Sequence, residues 1–143
     1  MTVRRVVPAD VAALDWLDDG TRTGVAAAEA AGAGRSLVLA EGGAEGLVGV
    51  LAVDLPPWRD RTVPWLWLVE VHPEHRGQGI GTGLLTEGHR QLAMSGHRVV
   101  ELGVAQANPR AATLYRRLGY LDVGEGVDPG PEPWIRMRLT LRP

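Results

Sequence analysis

One stretch of this chain is arranged as a ligand site would be: Val71-His72-Pro73-Glu74-His75-Arg76-Gly77-Gln78-Gly79-Ile80-Gly81-Thr82-Gly83-Leu84-Leu85. A run of strand-forming residues feeds a loop in which glycines alternate with other residues, and a helix pattern begins at once. Glycine lets the backbone come close to a ligand, and a helix start offers unpaired N–H groups at the positive end of its dipole. That combination suits phosphate oxygens; the plain alternative is a surface turn. A strict G-x-G-x-x-G does not fit, because Thr82 or Leu84 stands where the third glycine would be. A Walker A loop fails outright, because all 15 basic residues are arginine and lysine is absent.

The same composition removes other chemistries. Without lysine there is no Schiff base and no lysine general base. Without cysteine there is no disulfide, no thiolate metal site and no acyl-cysteine intermediate. A net charge of −2 argues against a general nucleic-acid binder. His72, His75, His89 and His97 read as loop or helix-surface residues, and their spacing matches no metal site. Met1 to Val7 carries two arginines but no long apolar segment, and no run reaches the roughly 18 apolar residues of a membrane span. The expectation is a cytoplasmic, unprocessed protein, and 143 residues suit one domain spanning 1–143.

The elements that must hold the glycine turn follow from periodicity. Thr2 to Val7 reads as a strand ended by Pro8. Pro8-Ala9-Asp10 suits a helix start, with Val11, Leu14 and Leu17 as an apolar stripe; Asp15, Asp18 and Asp19 then fall at its end, the wrong sign for the dipole. A second helix is expected over Val25 to Ala31 from alanine propensity. Ser36 to Glu41 and Leu47 to Leu55 flank a glycine-bearing hairpin loop, and Pro56 and Pro57 end that ladder. Val63 to Val71 is a third apolar run, followed after the turn by a helix from about Ile80 to Met94 and a strand from Arg98 to Val104. Asn108-Pro109 reads as N-cap and first helical residue. Ala111, Leu114, Tyr115 and Leu118 form the helix's apolar face, and Gly119 stops it. Tyr120 to Val123 is a short strand and 124–133 a loop. The alternation of Ile135, Met137, Leu139 and Leu141 with polar residues marks an edge or near-edge strand. The order β-α-α-β-β-β-α-β-α-β-β describes an α/β (α+β) chain with a mixed sheet covered by helices.

Arg76-Gly77-Gln78-Gly79-Ile80-Gly81 resembles the Arg/Gln-x-x-Gly-x-Gly/Ala motif of the GNAT superfamily of acyl-CoA-dependent N-acetyltransferases. Val71-His72-Pro73-Glu74-His75 looks like that family's strand exit. Downstream, Leu102-Gly103-Val104, Asn108, Ala111-Ala112, Leu114-Tyr115 and Leu118-Gly119-Tyr120 are similar to its strand–loop–helix ending in Tyr, two residues, Leu-Gly-aromatic. The two blocks stand in order on the right elements. With the element order, the resemblance covers nearly the whole chain, least over 1–35 and 124–133.

The resemblance implies a mostly antiparallel sheet of about seven strands with about four helices and a splayed central strand pair, here 63–71 and 98–104. It implies acetyl-CoA as cosubstrate, no metal, and direct transfer to a primary amine of a small molecule or of a peptide or protein N-terminus. The pantetheine arm would pair with the backbone of Val69 and Val71. The pyrophosphate would sit on N–H groups of Gly77, Gln78, Gly79, Ile80, Gly81 and Thr82. Arg76 would add charge, or is a solvated arginine. Asn108 would contact the cosubstrate while also capping its helix.

Aminolysis of a thioester needs an amine base, an oxyanion donor and an acid for the sulfur. Tyr115 matches the family's acid position; its other reading is a core tyrosine. Glu70 is a carboxylate inside the strand that would carry the acetyl group, and is either the base or half of an ion pair; Glu101 is a weaker base candidate. Strict alternation puts Trp65, Trp67 and Val71 on one face and Glu70 on the other, and only a bulge would bring both sets toward the acceptor. Trp16, Asp18, Asp19, Trp58 and Trp134 are the candidate acceptor-lining residues, since aromatic walls with carboxylates suit a cationic amine; the acidic group is alternatively a solvated helix end. The expected partners are acetyl-CoA and an amine acceptor, with no nucleic acid and no membrane, for a monomer or homodimer. The rival from another class is a non-catalytic acyl-CoA-binding sensor or regulatory module, which keeps the glycine turn and loses turnover.

The glycine-turn assignment predicts that Gly79→Val or Gly81→Val weakens CoA binding at least tenfold, about 1.4 kcal/mol, in a variant that still folds. Calorimetric titration with CoA checks this, and unchanged affinity in a folded variant would refute it.

Overall fold

Seven strands pair into one sheet in the computed structural model, which describes residues 2–43, 46–57, 62–126 and 132–142. They are β1 (Thr2–Arg5), β2 (Ser36–Gly43), β3 (Gly46–Asp54), β4 (Trp65–Val71), β5 (Val99–Ala105), β6 (Leu121–Gly126) and β7 (Trp134–Thr140), ordered β1-β2-β3-β4-β5-β7-β6. Every neighbouring pair is antiparallel except β4 and β5, which run parallel. The helices are α1 (Pro8–Ala13), α2 (Asp19–Ala31), α3 (Ile80–Met94) and α4 (Pro109–Arg117). Among the described residues no helix is long and apolar enough to cross a membrane.

The two-residue period of the strands sorts the core into two layers. Leu39, Leu51, Val53, Leu66 and Leu102 pack with Ile80, Leu84 and Leu85 of α3 and Ala112 of α4. On the opposite face Val38, Ala40, Val50 and Ala52 pack with Leu14, Leu17, Val25 and Ala28 of the α1–α2 region. Helix α3 lies against β3 at very short range. A Cβ at Gly49 would come 2.8 Å from both Ile80 Cγ2 and Leu84 Cδ1, so only glycine lets the first turn of α3 seat there.

The central feature is how little β4 and β5 hold each other. Their ladder consists of Trp65 opposite Glu101 and Leu66 opposite Leu102, and beyond those positions the strands part. A bulge accompanies the parting. Against β3 the register passes from Ala52–Leu68 to Val53–Leu66, leaving Trp67 unmatched. Trp67 and Leu68 consequently both face the α1–α2 layer, while Val69 and Val71 face the α3–α4 layer. Strict alternation is therefore corrected. Trp67 and Glu70 share a face, and Val71 is on the other, because one extra residue flips the phase of everything after it.

The N-terminal third departs from the sequence expectation in a second way. α1 ends at Ala13, and α2 starts at Asp19 rather than near Val25. Asp18 is the N-cap of α2, accepting from the Thr21 N–H at 2.7 Å. Asp18 and Asp19, assigned to the wrong end of one helix, thus stand at the right end of the next, where the dipole favours them. The last hairpin differs less: β6 runs on to Gly126, into the segment expected to be loop, and it forms the sheet edge, leaving β7 one strand inside.

Gly49→Ala should destabilise the fold by about 1–3 kcal/mol through overpacking against Ile80 and Leu84. A urea melt reads this as a lower midpoint at constant slope. Gly34→Ala, where an added Cβ meets nothing within 4 Å, is the matched control and should leave the midpoint nearly unchanged.

Candidate active site

The parting of β4 and β5 opens a slot of about 300 Å³ through the sheet. Val69 and Glu70 border it on β4, Gly103 and Val104 on β5, and Asn108 and Tyr115 from α4. The orientation of the β4 main chain follows from one bond, the His72 N–H donating to the Val48 carbonyl at 2.8 Å. By alternation Glu70 also turns its main chain to β3, so the main-chain groups of Val69 and Val71 turn toward the slot. The Val71 carbonyl accepts from Arg76 Nε at 3.3 Å, which folds that exposed arginine back over the end of β4.

At the same end of the slot stands the start of α3. Its N-cap, Gly79, is left-handed at φ 81° and ψ 9°, and offers no side chain to the helix amides. The first bond into the helix runs from the Gly83 N–H to the Gly79 carbonyl at 2.9 Å, so the amides of Ile80, Gly81 and Thr82 have no intrahelical acceptor. Gly77, also at positive φ, Gln78 and Gly79 are exposed. A row of open amides at a helix N-terminus, reached from solvent, with Gly81 lying against the side chains of Val69 and Val71, fits a diphosphate carrying an amide-bearing arm.

On the α4 side, Asn108 caps the helix, its Oδ1 accepting from the Ala111 N–H at 3.3 Å, and also borders the slot. The Tyr115 ring stacks edge-on to Tyr120 at 5.5 Å. Burial pushes the Tyr115 phenol above its ordinary range, which keeps it protonated at neutral pH. Its hydroxyl makes no hydrogen bond among the described residues. Behind it, Tyr120 is 1% exposed and bonded at 2.8 Å to His89 Nε2. His89, expected on the helix surface, is instead turned inward, and burial pulls its imidazole down to about 4.

The opposite face carries the remaining candidates. Glu70 is 45% exposed, with Oε1 3.7 Å from an Arg76 nitrogen, a loose surface pair that leaves the carboxylate open to water. Glu101 is 5% exposed and held by Arg136 at 3.1 Å and Arg138 at 2.6 Å, so it is a structural ion cluster rather than a base. Trp65 and Trp134 meet edge-to-face at 6.3 Å over Gly103, where a Cβ would come 3.2 Å from the Trp134 ring. Trp16 lies further along, its Nε1–H donating to the Leu47 carbonyl at 3.1 Å and its ring 5.4 Å from His72. Asp18 is engaged as a helix cap, and Asp19 pairs on the surface with Arg22 at 2.8 Å; neither borders the slot. Trp58 lies outside the described residues.

Two residues of this face were given no site role by the sequence: Gly103, which floors the slot, and Trp67. The indole N–H groups of Trp67 and Trp134 are buried without a partner among the described residues, each at a cost of about 1–3 kcal/mol. The signal that could have found Trp67 was the clash between the tryptophan phase and Glu70, which already called for a bulge.

The model of the acetyltransferase (GNAT) family matches residues 9–120, and the chain belongs to this family. It is 33% identical over 121 residues to the streptothricin acetyltransferase of Streptomyces lavendulae, an alignment covering 84% of this chain and 63% of that protein. It spans 32% and 63% of the lengths of two curated relatives that it matches, so it corresponds to a part of each. Among solved structures, the ribosomal-protein-alanine N-acetyltransferase of Brucella melitensis superposes with a TM-score of 0.79 at 21% identity over 99% of this chain and 100% of that one. An aminoglycoside 6'-N-acetyltransferase complexed with coenzyme A gives 0.75 at 20% identity over 100% and 98%. At those identities the likeness is one of fold.

The depressed His89 carries a pH prediction. Its folded value of about 4 lies below the unfolded value near 6.5, so the unfolded chain binds more protons in that window. Stability is full above about pH 6.5 and falls as the pH drops toward 4, by about 2 kcal/mol between about pH 7.5 and 5. Urea unfolding at both pH values should show this loss, and His89→Gln should remove most of it. An equal loss in the variant would assign it to other groups.

Proposed function

We propose that this chain transfers an acetyl group from acetyl-CoA directly to a primary amine, either of a small molecule or of a peptide or protein N-terminus, with residues 1–143 acting as one unit. The observation that carries this reading is the slot through the sheet, with a protonated buried phenol on one side and an accessible carboxylate on the other. Membership of the acetyltransferase family supports the choice of acetyl-CoA.

The open amides from Gly77 to Thr82 hold the diphosphate, with Arg76 adding positive charge. The backbone of Val69 and Val71 takes the place of the missing strand partner for the amides of the pantetheine arm, and Asn108 meets the arm from the α4 side. The reacting carbonyl then lies in the slot, where a main-chain N–H of the β4 rim supports the oxyanion. Tyr115 gives its proton to the departing sulfur. Glu70 faces the acceptor side and takes the ammonium proton, which its exposure to water lets it pass to solvent. Trp65 and Trp134 form an aromatic wall over Gly103, suited to a cationic amine approaching across that glycine.

Tyr115→Phe tests the reading and separates an enzyme from a binding module. The ring keeps its packing on Tyr120, and the hydroxyl has no bond to lose, so stability should hardly change. With any accepted amine, thiol release should show kcat falling roughly 10- to 1,000-fold while the affinity for acetyl-CoA stays close to wild type. Wild-type kcat in the folded variant would reduce Tyr115 to packing. Absence of thiol release from the wild-type protein across a broad amine panel, with acetyl-CoA still bound, would favour the sensor.

A further inference from the structure

Two cavities meet at Trp67. One is the slot between β4 and β5. The other, of about 370 Å³, runs beneath α2 and is walled by Ala27, Ala28 and Ala31 of the helix and by the polar residues Arg35, Ser36 and Asp54. Trp67 borders both. It is also the bulged residue of β4, so its indole is the first bulky group on the acceptor face beyond Glu70 and Leu68. The indole is clamped from above: a Cβ at Gly24 would come 3.2 Å from its Cη2, so the backbone of α2 rests directly on the six-membered ring. Its Nε1 is buried with no partner among the described residues, so ring packing rather than a hydrogen bond holds the indole here.

We propose that Trp67 is the chain-length stop of the acceptor site. With the amine nitrogen between Glu70 and Gly103, an aliphatic chain running back along β4 toward α2 meets the indole, and the alanine-walled groove beyond it is space that the indole closes off. The substrate class on this side of the slot is therefore short, compact primary amines, and the groove becomes an extension of the site once the indole is removed. This deepens the acetyl-transfer reading and rests on it for the position of the amine.

The test uses linear primary alkylamines from ethylamine to octylamine. Acetyl transfer is followed by thiol release, and amine binding to the CoA-saturated protein is followed in parallel by calorimetry. In the wild type, kcat/KM and affinity should stop rising at short chain length. Trp67→Ala should raise the octylamine-to-ethylamine ratio at least tenfold with the KM for acetyl-CoA unchanged. Trp67→Phe keeps a smaller aromatic ring in the same place, so its octylamine-to-ethylamine ratio should fall between wild type and Trp67→Ala. If Trp67→Ala loses its cooperative melt, Trp67→Leu serves for the same comparison. A folded small-residue variant with the wild-type length profile in both measurements overturns the proposal. Length-dependent binding that shifts as expected without thiol release from any protein would retain the stop and refute acetyl transfer. No binding of any amine to any of the proteins would refute both.

Discussion

Two strands that run parallel but pair only at Trp65–Glu101 and Leu66–Leu102 set the conditions for the whole site. A strand edge carries one donor and one acceptor for every other residue, and inside a sheet those groups must find partners. Past Leu66 the facing edges of β4 and β5 no longer reach each other. The fold therefore holds an incomplete ladder at its centre, and the demand for partners falls on whatever fills the slot. An extended chain of amides answers that demand in a way that an apolar ligand cannot.

The parting is built in from both sides. On β4 the bulge at Trp67 bends the strand and changes its phase. On β5 the full-length pairing with β7, and the ion cluster in which Arg136 and Arg138 grip Glu101, hold the strand toward the opposite half of the sheet. Trp65 and Trp134, packed edge-to-face over Gly103, fill the vertex where the strands diverge. The helix that begins at the open end is fixed by an independent contact, the seating of Ile80 and Leu84 against Gly49. The open amides of the glycine turn are thus held in line with the slot by packing that the ligand does not have to supply.

Burial sorts the titratable groups of this region into fixed and available ones. Tyr120 and His89 satisfy each other behind the slot and hold one protonation arrangement at neutral pH. Glu101 is neutralised from two sides. Tyr115 is kept protonated by desolvation with its hydroxyl uncommitted, and Glu70 is left at the surface with one loose partner. Tyr115 and Glu70 both border the slot, one from α4 and the other from β4.

Much of this was legible without coordinates. Glycine spacing before a helix pattern located the turn at 76–82, and α3 spans Ile80–Met94, within the bounds that its apolar period marks. Asn108-Pro109 and Gly119 bracketed α4, because caps and stops are local stereochemistry. The order of elements and the resemblance of two short blocks fixed the family. Three things needed the tertiary structure. The acidic stretch Asp15–Asp19 has no strong apolar stripe on either side, so local propensity could not decide which helix it ends or begins; packing of Val25 and Ala28 against the sheet did. His89 carries no sequence mark of burial, since its fate depends on Tyr120 arriving from 31 residues away. The phase of β4 depends on a single extra residue opposite β3, a matter of register between strands rather than of any residue's own preference. That register decides that Trp67 and Glu70 look the same way, and no local pattern in one strand can specify how it is counted against its neighbour.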